Sequence, residues 1–507
     1  MNQWLVTGKR FLAVRGGLIL QAGIVLTWVI MLGFLAGRTF WQVEPMRVTP
    51  ALAKEGMKTG EDWWGIYFQN EKIGYAVTIQ RQQAEKVSVQ ERVLLKLSVL
   101  GIPQNIVQIL EYQTNQNLTL DSFDFSLKSG LIQLRIAGSL QDQPAGTGRR
   151  LKVKVYSGGK ERQQEIPLKE APYILSQTKP FFLAQGWEQG KKYRIPAFDP
   201  TTLSNAEMIA EVEGTERLQI GGQERELYRV REEFRGIVIK SWMDRQGEIW
   251  KEESPTGLVL IRESKNGAMY KNWSPGKTAD LIAFTAIPVN REIDHPRSTR
   301  YLRARLLSPA LNTLPIGGTR QSRIGNEVII RKEEFPPRPS PPKILPAGSL
   351  SEALGSTPFI QSDDPEIRRQ AESIVAGIED RSERVRRIAD WVYREIEKRP
   401  VVSIPSAIEV LHHKAGDCNE HAVLFTALVR AVGIPAHVQA GIIYLEGKFF
   451  YHAWAKVFLG AWISVDPLLN QIPSDATHIC LAEGDLDKQL DILKVIGRLK
   501  IEVLEAH

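Results

Sequence analysis

The sequence predicts a multidomain protein: an N-terminal transmembrane helix, a β-rich extracytoplasmic region, and a C-terminal α+β core with an antiparallel sheet. Three observations predict it. Residues 16–37, GGLILQAGIVLTWVIMLGFLAG, carry no charge and are long enough to cross a bilayer as a helix. From residue 60 onward, short alternating apolar runs recur between Gly, Asn, Asp and Pro, the pattern of antiparallel strands. After residue 348 the apolar period becomes helical, then returns to strands, which indicates an α+β unit.

Taken in chain order, residues 1–40 form a cytoplasmic tail and anchor. Phe34-Leu35-Ala36 is a poor signal-peptidase exit, so the span is expected to stay uncleaved. Lys9, Arg10 and Arg15 precede it and Arg38 and Arg47 follow it; this slight bias favours a short cytoplasmic N-terminus and an extracytoplasmic body. Residues 60–272 form an antiparallel β-rich domain. WWGIYFQNEKIGYAVTIQ reads as two strands around a polar turn, and RVLLKLSVL, QNIVQILEY, LKVKVYS and GIVIKSWMD extend the series. A helix is expected to interrupt near Lys169–Leu183. Residues 278–332 read as a small β-module. The proline-rich stretch 333–348 reads as an extended spacer.

The final domain is expected at 349–490, with a C-terminal tail at 491–507. Asp364-Pro365 opens its first helix. In the next, Val385, Ile388, Ala389, Val392 and Ile396 share one face. Ser406 and Glu409 form an S-x-x-E capping box. A long apolar helix follows GDCNEHA and stops at Gly433-Ile434-Pro435. HVQAGIIYLEGKFFYHAWAKVFLGAWISVDP then reads as three strands.

At 507 residues the chain exceeds one core and suits about three domains. Its 43% hydrophobic and 24% charged residues are those of globular protein. The 65 basic and 58 acidic residues are well mixed, without a basic stripe bearing aromatics, so nucleic acid is not an expected partner. Two cysteines cannot build a disulfide framework.

The chemistry centres on one of them. Asp417 can cap the helix and Cys418 falls in its first turn. The positive helix end is expected to lower the thiol pKa. A thiolate performing acyl transfer needs a histidine, and that histidine needs a third group to fix its tautomer. Of His412, His413, His421, His437, His452 and His478, strand placement favours His452, and Asp466 follows on the next strand. Facing residues of an antiparallel hairpin have a constant sum of numbers. If Phe458 faces Trp462 across a three-residue loop, Trp454 faces Asp466, and His452 and Asp466 share a face as diagonal neighbours. The parity therefore predicts an odd loop with Gly460 at a left-handed position.

GDCNEHAVLFTALVRAVGIPAHV, YHAWAKVFLGAWISVDP and PSDATH…EGDL together resemble the bacterial transglutaminase-like domain of the papain-like cysteine enzymes, over about residues 350–490. The resemblance implies Cys418 as nucleophile, His452 as general acid/base and Asp466 as orienting acid. It implies a thioester made from an amide, its acyl group passing to water (peptidase or amidase) or to an amine (transamidase). The backbone N–H of Cys418 is one oxyanion donor; no Gln or Trp stands just before Cys418 to supply a second.

Competing readings of Cys418 are a Cys418–Cys480 disulfide and a metal site using His421 and His412-His413, without any CxxC or HExxH. Cys480 reads as a small core residue, and His437 and His478 as structural. The expectation is thus an anchored extracytoplasmic cysteine enzyme of this type, needing no cofactor or metal. Its substrate would be a protein or peptide, possible cell-wall peptides included. The alternative is an inactive anchored binding or scaffold protein that works through its β-rich region.

Overall fold

A computed structural model describes residues 43–45, 59–83, 86–130, 132–142, 149–176, 182–183, 186–270, 280–336 and 349–507. It corrects the expected architecture. The described residues are β-rich, 50% strand and 18% helix, and no helix among them is long and apolar enough to cross a membrane. The uncharged run 16–37 lies outside the described residues, as do residues 337–348 of the proline-rich stretch.

One 16-stranded sheet organises the first half. A meander runs from Gly60–Phe68 to Lys160–Leu168, each strand pairing with the next. A second runs from Lys192–Asp199 to Leu258–Glu263, and its last strand pairs with the first of the other meander, Leu258 opposite Phe68. Phe123, Phe125, Leu151 and Val155 of the first meander share a core with Phe198, Met208, Val230 and Met243 of the second. The sheet therefore curls so that its two arms bury one another's apolar faces. Within the stretch where a helix was expected, Lys169–Leu183, Tyr173–Ile174 form a short strand paired with Ala197 and Phe198, and residues 177–181 lie outside the described residues. Burying Tyr173 and Ile174 against Lys192–Asp199 outweighs local propensity.

The second half has three layers. The helices Pro365–Ile374, Arg381–Glu395, Ala407–His413 and Cys418–Ala431 cover one side of a five-stranded sheet. That sheet contains Ala436–Leu445, Lys448–Phe458, Trp462–Val465 and Ile479–Glu483. Cys418–Ala431 is buried throughout from Glu420 to Arg430, as befits an apolar central helix. The third layer corrects two expectations. Residues 278–332 are not a separate module, and 491–507 is not a tail. Ile287–Pro288 joins the edge of the five-stranded sheet beside Phe449. Tyr301–Leu307 pairs with Glu327–Arg331 on one side and with Lys500–Ala506 on the other. Leu302, Ala304 and Val328 pack with Tyr444, Phe449 and Ile479 in a shared core. Apolar faces of strands this far apart in sequence carry no local sign of their partner, so the pairing appears only in three dimensions.

The curled sheet docks on the helical layer through its edge hairpin. Lys160 forms ion pairs with Asp364 (2.7 Å) and Glu366 (2.8 Å), and Arg162 with Asp363 (2.7 Å). Asp364 also caps Pro365–Ile374 through the Glu366 N–H, so one buried carboxylate serves both a helix end and the docking surface. The S-x-x-E box at Ser406 is not formed. The Ser406 hydroxyl accepts a hydrogen bond from Gln361 at 2.9 Å, and Glu409 is buried facing the Gln133 N–H of the large sheet. A tertiary partner on each side chain displaced the local cap.

Candidate active site

Cys418 is the first residue of its helix. Asp417 caps that helix by accepting from the Asn419 N–H at 2.9 Å, and Glu420 reaches back to accept from the Asp417 N–H at 2.9 Å. The Ser403 hydroxyl donates to the other Glu420 oxygen. This reciprocal box leaves no room above Gly416, where a Cβ would stand 2.2 Å from the Glu420 Cβ. Both acids are thus drawn into the turn that carries the thiol.

That arrangement reverses the expected thiol electrostatics. Burial pushes the Cys418 thiol well up, and the charges of Asp417, Glu420 and Asp466 push it further; the hydrogen bond from the Ala453 backbone N–H opposes them. The partial charge of a helix end is about half an elementary charge, and carboxylates in an enclosed first turn outweigh it. Burial and the Glu420 charge likewise raise the Asp417 carboxyl well above its usual range.

His452 lies on Lys448–Phe458, and the hairpin register matches the parity argument. Phe458 pairs with Trp462, Ala455 with Val465, and Gly460 has φ +88°. That left-handed conformation suits glycine in a three-residue loop. The His452 Nε2–H donates to Asp466 Oδ2 at 2.8 Å. Asp466 is fully buried, and its other oxygen accepts from the N–H groups of Leu468 (2.9 Å) and Leu469 (3.0 Å). The helix that begins at Cys418 packs against the strand that carries His452. The hairpin that carries the His452–Asp466 pair is thereby a neighbour of the helix that begins at Cys418.

A fourth residue joins them that the sequence reading set aside as structural. His478, 1% exposed, donates through Nε2 to the same Asp466 Oδ2 at 3.0 Å. Its Nδ1 faces the Asp475 carbonyl (3.2 Å) and Asp475 Oδ1 (3.3 Å). Asp475 in turn accepts from the Thr477 N–H at 2.8 Å and pairs with Arg297 at 2.9 Å. Burial alone would raise both carboxyls. His452 and His478 instead hold Asp466 well below the usual range, and His478 and Arg297 do the same for Asp475. For His478, burial works against the charged ring, but the hydrogen bonds from it to Asp466 and Asp475 win and raise it. The one available signal was the motif PSDATH itself, which places an Asp three residues before a His.

Trp454 forms the wall behind both rings. It stacks on His452 (centroids 6.0 Å, planes 18° apart) and meets His478 edge-on (5.2 Å, 81°). Its indole N–H is buried without a hydrogen-bond partner. Among the described residues, His452, Asp466 and His478 offer donor atoms within 4.8 Å of one another. The two imidazole nitrogens lie 2.8 and 3.0 Å from a single carboxylate oxygen, so the trio forms a hydrogen-bonded network when each ring carries a proton there. Cys418 and Cys480 are both free; Cys480, raised to about 12 by burial and then by the Glu483 charge, is an inert core thiol. His421 donates from Nδ1 to the Asp417 carbonyl at 2.7 Å, and His412 pairs with Glu366; neither belongs to the network.

A cysteine at a half-buried helix start and an imidazole oriented by a carboxylate are the parts that cysteine acyl-transfer chemistry uses. Residues 368–467 match the Transglutaminase-like superfamily. No curated protein matches the chain. Among solved structures, a candidate cysteine protease from Cytophaga hutchinsonii is similar at 21% identity, covering 44% of this chain and 82% of that one, with a TM-score of 0.28. A β-barrel-like protein of a domain of unknown function from Brucella abortus is similar at 10% identity, covering 40% and 98%, with a TM-score of 0.31. A candidate protease from Parabacteroides distasonis shares 12% identity over 68% and 69%, with a TM-score of 0.19. At these TM-scores the three likenesses carry no weight here, and the assignment rests on the family match.

Proposed function

We propose that the protein is a cysteine enzyme that cleaves or transfers an amide acyl group of a protein or peptide through a thioester on Cys418. The observation that carries this reading is the buried 2.8 Å pair of His452 and Asp466 on the hairpin that packs against the helix beginning at Cys418. With Nε2–H committed to Asp466, the other ring nitrogen of His452 is left for the thiol proton.

The raised thiol sets the order of events. With the thiol raised, activation accompanies attack in this reading. As sulfur bonds to the amide carbon, the S–H proton passes to His452, and Asp466 stabilises the resulting imidazolium. The Cys418 backbone N–H, at the helix start, donates to the developing oxyanion. His452 then returns the proton to the departing amine as the C–N bond breaks, leaving the thioester. Water or a second amine, deprotonated by His452, attacks that thioester and releases the acyl group.

The test uses a generic amide donor, with and without a primary amine, and mass analysis of the protein and products. The expected result is an acyl adduct on Cys418 and no turnover by Cys418→Ala. Free acid as product identifies hydrolysis; an amine conjugate identifies transamidation. Undiminished turnover by Cys418→Ala overturns the reading.

A further inference from the structure

Asp466 is shared. Its Oδ2 receives His452 at 2.8 Å and His478 at 3.0 Å, and all three side chains are buried. A neutral imidazole carries one N–H and one lone pair. At His478 both nitrogens face acceptors, Asp466 Oδ2 on one side and Asp475 Oδ1 and its carbonyl on the other. A lone pair on either nitrogen would point at an oxygen, so this geometry suits the doubly protonated ring.

Charge balance points the same way. Asp466 and Asp475 bring two negative charges into the interior. Arg297 at 2.9 Å from Asp475 supplies one positive charge, and a charged His478 supplies the second. Around this group, Arg320 donates to the Asp475 carbonyl at 2.7 Å and pairs with Glu333 at 3.2 Å, while Lys332 feels the Asp475 charge. With His478 charged and His452 neutral, the inner set of Asp466, Asp475, Arg297 and His478 is balanced. The balance also survives transfer of the thiol proton to His452, because that step creates one imidazolium and one oxyanion.

We propose that His478 is a positioning residue for the acyl-transfer chemistry: as an imidazolium it fixes Asp466 Oδ2 toward His452 and shares that carboxylate's charge. The inference rests on the cysteine-enzyme reading for its kinetic part only. Without His478, Asp466 loses one of its two imidazole donors and gives its whole negative charge to His452. Protonated His452 is then over-stabilised, and the ring surrenders its proton to the leaving amine less readily. The acid limb of the kcat/KM profile moves to higher pH.

The test has two arms on the full chain. In the first, histidine-selective 15N NMR of Cys418→Ala protein, with through-bond assignment, reads the protonation of His478. Both nitrogens are expected to carry protons at pH 7.5; one bare nitrogen there overturns the proposal. In the second, His478→Gln keeps a donor of similar reach but no charge. It is expected to lower kcat about tenfold or more with KM little changed, and to shift the acid limb upward. A kcat within twofold of the unaltered protein and an unmoved profile overturn the proposal. If His478→Gln does not fold, the NMR arm still decides it. Turnover by Cys418→Ala sinks the enzyme reading separately, and the protonation of His478 is measured regardless.

Discussion

Asp466→Asn is the most informative perturbation, because four hydrogen bonds converge on that side chain. The Leu468 and Leu469 N–H groups occupy Oδ1, and two imidazole N–H groups occupy Oδ2. An asparagine can keep its carbonyl toward the backbone donors. Its NH2 then faces the two imidazole N–H groups, donor against donor. Each charge-assisted bond lost costs about 1.5–3 kcal/mol. Removing one partner of a buried ionic group costs roughly 3–5 kcal/mol in all, since the charge of His478 is left uncompensated. For a unit of this size that corresponds to a fall in Tm of about 10–15 °C. Activity should fall further than stability suggests, by about 10³–10⁴-fold in kcat, because His452 loses the partner that fixes its tautomer. Calorimetry and steady-state kinetics on the same preparation measure both. A Tm within 2 °C of the unaltered protein, or a kcat loss under tenfold, refutes the account of Asp466 as the centre of the network.

Three more perturbations probe the surroundings. Gly416→Ala sets a Cβ against Glu420, 2.2 Å from its Cβ; the capping box must open, at a cost of about 1–2 kcal/mol, read by urea unfolding. Trp454→Phe removes a buried donor that has no partner and should change stability by less than about 1 kcal/mol, whereas Trp454→Ala should cost about 3–5 kcal/mol; equal losses for the two would show that the indole N–H is used. Stability should also follow pH with two slopes. Asp466 and Asp475 are depressed on folding, so their contribution is complete above about pH 4 and drains away as pH falls through their folded values. His478 is raised, so its contribution is complete below about pH 6.5 and is lost as pH rises through its folded value. Asp417 is displaced upward and offsets part of the acid loss. Guanidinium unfolding from pH 3 to 8 should show the decline on the acid side; a flat curve below pH 5 contradicts the charge pattern.

The hairpin was legible for a clear reason. Strand side chains alternate with period two, so the numbers of Phe458, Trp462 and Asp466 alone decide which residues share a face. The glycine stop at Gly433 and the cap at Asp417 were legible because they act within one turn. Other features depend on sums over distant groups. The expected drop in the thiol pKa considered only the helix end, and burial with three carboxylates reversed it. The Ser406 box failed because Gln361 and the large sheet reached its side chains first. His478 looked like any buried histidine until Ile479–Glu483 came alongside Ala436–Leu445.

By itself, then, the sequence determined the local devices: the capped helix start bearing Cys418, the odd loop that aligns His452 with Asp466, and the alternating strands of the first half. The tertiary structure alone decided what surrounds them. It joined residues 301–307 to 500–506, brought His478 and Arg297 behind Asp466, and set the half-buried thiol near carboxylates. Local devices follow from spacing along one segment, whereas burial and charge are set by every segment that packs against them.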